Sequence, residues 1–100
     1  MEEVLKLLKK AREEIKAEEN RIEAQLDVLE EEYTQASEEY KQAEDDRTIS
    51  DEDFKAISAK SAKARSKYNR QRCDWITIDR AYQSLNEAIS QLTLYTEEWD

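Results

Sequence analysis

From Ile22 the apolar residues of the first half recur as Ile22, Leu26, Leu29, Tyr33, Ala36, Tyr40 and Ala43. Steps of four and three alternate, which lines up one face of an α-helix in heptads. Leu8 and Ile15 carry the stripe toward the N-terminus. The second half repeats the rhythm without a slip: Phe54, Ile57, Ser61, Ala64, Tyr68, Gln71, Trp75, Ile78, Tyr82, Leu85, Ile89, Leu92, Thr96 and Trp99. These stripes predict two helices, residues 2–46 and 51–98, joined by a turn at 47–50. At about 1.5 Å per residue each helix is some 65–70 Å long. The expected fold is all-α: one antiparallel two-helix coiled-coil hairpin spanning residues 1–100.

The turn carries its own start signal. Ser50 followed by Asp53 reads as a helix N-cap with an acid three residues on. Asp51, Glu52 and Asp53 fill the first turn, where the positive end of the helix dipole favours carboxylates. Asp45 and Asp46 have no such task. At the end of the first helix they oppose the dipole, so a binding role for this five-acid tip would show at these two residues.

Folding the helices back about the turn brings together residues whose numbers sum to about 97. The layers include Ala43/Phe54, Tyr40/Ile57, Tyr33/Ala64, Leu29/Tyr68, Leu26/Gln71, Ile22/Trp75 and Leu8/Ile89. Near the turn large residues mostly meet small ones, as interdigitated packing requires. The flanks test the register independently. Arg65 faces Glu30, Arg72 faces Glu23, Asp79 faces Lys16, Lys60 faces Glu39 and Lys67 faces Glu32, all opposite in sign. Single surface pairs contribute little, but together they select the antiparallel alignment.

Composition narrows the function. The 100 residues contain no Gly and no Pro, and 41% are charged, as in long solvated helices. The net charge of -9 disfavours nucleic acid and anionic lipid as direct partners. No apolar run reaches the roughly 20 residues of a membrane span. One cysteine and no basic-apolar leader point to the cytoplasm. Catalysis is not expected. There is no histidine, Cys73 sits at an outward heptad position without a general base, and no Gly-rich phosphate loop or Cys/His zinc set is present. No cofactor or metal is expected.

Three features exceed what a minimal hairpin needs. In the terminal half, Arg12 and Glu19 occupy seam positions, while Val4, Leu7, Ala11, Ala81, Ala88, Leu94 and Tyr95 line one apolar flank. Such a face marks an interface, and the expectation is a homodimer forming a four-helix bundle there, or docking on another protein. The second feature is the acidic face of the first helix, with Glu13, Glu14, Glu23, Asp27, Glu31, Glu38 and Glu44. Carboxylates on neighbouring turns are spaced like phosphates. They suit a small phage-type inhibitor that mimics nucleic acid in the basic groove of a processing enzyme, as anti-CRISPR and anti-restriction proteins do. The third is the tip, "DDRTISDEDF", which resembles the acidic tip of coiled-coil hairpins of the Gre and DksA type. That resemblance implies entry into the secondary channel of RNA polymerase, with Asp45, Asp46 and Asp51 as the closest counterparts of the family's acids. It covers about ten residues, and residues 1–100 carry neither the families' zinc-finger nor their globular domain. The leading expectation is a non-catalytic protein–protein interaction module whose partner offers an apolar or basic groove.

Overall fold

A computed structural model of the protein describes residues 1–99, with side chains through Glu97. Two helices, α1 (Glu2–Asp45) and α2 (Asp51–Trp99), pack against each other as an antiparallel hairpin, and no strand occurs among the described residues. Without Gly or Pro, nothing interrupts either ladder of backbone hydrogen bonds.

The ends are set locally. Ser50 Oγ accepts from the Asp53 backbone N–H at 3.1 Å, and the Phe54 N–H reaches the Ser50 carbonyl at 3.0 Å. Ser50 is therefore the N-cap of α2. α1 stops one residue earlier than its apolar pattern predicts. Asp46 leaves the helix, its N–H bonded to the Ala43 carbonyl at 3.3 Å, and its side chain turns forward. Asp46 Oδ1 accepts from the Thr48 N–H at 2.9 Å and the Thr48 hydroxyl at 2.6 Å, which folds the connection into an Asx-type turn.

Every seam position from Leu8 to Thr96 is buried or half-buried; the side chain of Trp99 lies outside the described residues. The chain divides into two compact units, each with its own packing. In the turn unit, Ala24–Cys73, Ala36 and Ala43 are buried. Their small side chains make room for the rings of Tyr40 and Phe54, 5.7 Å apart, and of Tyr33 and Tyr68, 5.9 Å apart. Both ring pairs are diagonal to the predicted layers, as knobs set between neighbours require. Lys60 and Glu39 close the expected flanking pair at 3.2 Å, and Gln71 donates to Gln25 at 2.6 Å. Arg65 with Glu30 and Lys67 with Glu32 do not close to salt-bridge distance among the described residues.

The terminal unit comprises Met1–Glu23 and Asp74–Asp100. Ile22 and Ile89 are its buried apolar side chains, and Glu19 is buried beside them. Lys16 does not pair with Asp79. It donates to Glu19 Oε1 at 3.1 Å and lies 5.1 Å from the centre of the Tyr82 ring. The Glu19 hydrogen bond, more than any other influence, raises the Lys16 pKa above its ordinary value. Glu19 Oε2 and Trp75 Nε1 are buried with no hydrogen-bond partner.

Few of the described residues are deeply buried. The chain exposes 7939 Å², against about 5,900 Å² for a compact monomer of its mass.

Candidate protein-docking site

The terminal unit has a polar seam. Arg12 Nη1 donates to Asn86 Oδ1 at 3.2 Å, and Glu19 occupies a position where a heptad would place Leu or Ile. The Arg12–Asn86 contact joins the helices without burying much hydrocarbon, while Glu19 pairs only with Lys16 of its own helix. Apolar side chains are left outside instead: Leu7 is 69% exposed, Leu94 61%, Tyr95 47% and Val4 46%. Ala11, Ala81 and Ala88 are half-buried, so the sequence-derived flank is narrower than it looks and rests on its four large members. Met1, 58% exposed, joins the apolar surface of this unit and was not part of the expected set.

The five acids of the turn, Asp45, Asp46, Asp51, Glu52 and Asp53, are all exposed. Asp46 does have a local task, contrary to the expectation from sequence. Its two hydrogen bonds from Thr48 hold its carboxyl below the usual aspartate value. Asx-turn geometry was readable in the Asp-x-Thr spacing, but the helix pattern running through Asp46 concealed it.

On α1 the acidic face of Glu13, Glu14, Glu23, Asp27, Glu31 and Glu38 is exposed, and none of these six closes a salt bridge among the described residues. Glu44, on the same helix, accepts from the Tyr40 hydroxyl and raises that phenol's pKa. No group of three or more acidic or Cys side chains is arranged to hold a metal among the described residues. No helix there is long and apolar enough to cross a membrane.

A groove in the turn unit was not foreseen. It encloses about 360 Å³ between Glu32, Gln35 and Ala36 of α1 and Lys60, Lys63, Ala64 and Lys67 of α2. Lysines at i, i+3 and i+7 share one helix stripe, and two alanines let the floor sink between the helices. The lysine spacing along α2 carried this signal, although the expected flanking pairs accounted for Lys60 and Lys67 only.

No protein-family model, curated protein or solved structure matches the chain.

Proposed function

We propose that the protein is a non-catalytic protein–protein interaction module that docks through the apolar surface of its terminal unit. Its simplest form is an isologous dimer, in which each copy covers the other's Val4, Leu7, Leu94 and Tyr95. The observation that carries this reading is the exposure of those four large side chains in a unit whose own seam is polar. The absence of histidine supports a binding role over acid–base catalysis.

Sedimentation equilibrium over a concentration series tests the reading. The parent chain is expected to shift from monomer to dimer, and Leu7→Ser with Leu94→Ser to raise the dissociation constant at least about tenfold, at ~1.4 kcal/mol per decade. A monomer at every concentration removes the homodimer. For binding to a different protein, apolar docking should barely respond to salt, whereas a steep loss with rising ionic strength would favour charge mimicry by the exposed carboxylates.

A further inference from the structure

We infer that the groove of the turn unit is the contact surface for a second copy of this chain, related by a two-fold axis parallel to the helices. This rests on the self-association reading and adds to it an orientation. The groove has two unlike walls. On α2 stand the ammonium groups of Lys60, Lys63 and Lys67, and on α1 stand the Glu32 carboxylate and the Gln35 amide. Lys60 is already engaged by Glu39, at 3.2 and 3.4 Å. Lys63, Lys67 and Glu32 form no salt bridge among the described residues. Ala36, 2% exposed, and Ala64 form a floor without bulk.

Two symmetric ways exist to lay such a groove face to face on its copy. An axis perpendicular to the helices and in the plane of the hairpin stacks α1 on α1 and α2 on α2. That sets lysine against lysine, and like charges at close range are strongly unfavourable. An axis parallel to the helices stacks α1 of one copy on α2 of the other at equal height. Glu32 of each copy then meets Lys63 and Lys67 of the other, and the four helices alternate acid, base, acid, base around the axis. The charge split of the walls selects this second arrangement, and its closure at two copies follows from the two-fold axis. The two acidic turns then share one end. They stay hydrated there, and salt screens their repulsion over about 10 Å.

A charge-swap experiment tests this directly. Lys63→Glu with Lys67→Glu in one chain, and Glu32→Lys in another, should each weaken self-association about tenfold or more. Mixing the two variants should restore parent-like affinity, because each then offers the charge the other lacks. Loss of intrachain stability cannot produce that rescue, and circular dichroism melts of each variant separate the two effects. A Thr48→Cys chain in a Cys73→Ser background should also oxidise readily to a covalent dimer, since parallel copies bring their turns together. Parent dimers with unaltered variants, or variants that mixing fails to rescue, overturn the orientation while the docking reading stands. A parent chain that never dimerises overturns the homodimer and this inference together.

Discussion

At the scale of single residues, Glu19 and Asp46 are charged groups with opposite consequences. Glu19 is 5% exposed, its Oε1 is held by an exposed lysine, and its Oε2 has no partner. A carboxylate loses hydration on burial, and one half-satisfied contact does not recover that loss. Glu19→Leu should therefore raise the thermal midpoint, with a gain of about 1 kcal/mol or more in line with buried ion pairs replaced by apolar residues. An unchanged or lower midpoint in circular dichroism melts would show that the carboxylate is better solvated than its surroundings indicate. Asp46 is exposed yet organises the turn through Thr48. Asp46→Ala should melt lower than the parent at neutral pH. Because the folded carboxyl titrates below its ordinary value of 3.8, its contribution is present above that value and lost as pH falls through the folded pKa. The gap between parent and variant should close in acid, which a pH series of melts would read.

At the scale of elements, the helices depend on each other. Two-helix packing is stable only while both stripes face inward, because isolated helices draw little stability from propensity alone. One residue inserted after Ser66 rotates the rest of α2 by about 100°. Tyr68 and Gln71 would then leave the seam, and the Tyr33–Tyr68 ring contact and Gln71–Gln25 hydrogen bond would be lost. The expected result is a broad transition at lower temperature, and a melting curve equal to the parent's would contradict the register. Across the interface the pairs Tyr40–Phe54, Gln25–Gln71, Arg12–Asn86 and Tyr33–Tyr68 scatter on both sides of the predicted alignment. Side chains that interlock contact diagonal neighbours as well as those directly opposite.

For the whole molecule, the core is thin: four buried apolar side chains among the described residues, two of them alanine. Burying hydrocarbon contributes about 25 cal/mol per Å², so the apolar surface left outside is a source of stability still open to the chain. Proposed self-association draws on that source in the terminal unit, and on charge alternation in the turn unit. The two contributions differ in salt dependence. Apolar contact persists at high ionic strength, while the preference for parallel copies weakens as the Debye length shrinks.

The period of the apolar positions determined the helices and their seam, because a 3.6-residue helix converts spacing directly into direction, and the short connection between them made the alignment antiparallel. Ser50 likewise announced the start of α2, since capping is decided within four residues. What only the tertiary structure decided concerns long or charged side chains with several partners in reach. Lys16 chose Glu19 and the Tyr82 ring over Asp79, and Asp46 turned forward to Thr48. Lys60, Lys63 and Lys67 came to rim a groove that exists only because Ala36 and Ala64 lie beneath it. Register places such residues on a face, but rotamers and the packing of the opposite helix choose among contacts of nearly equal energy.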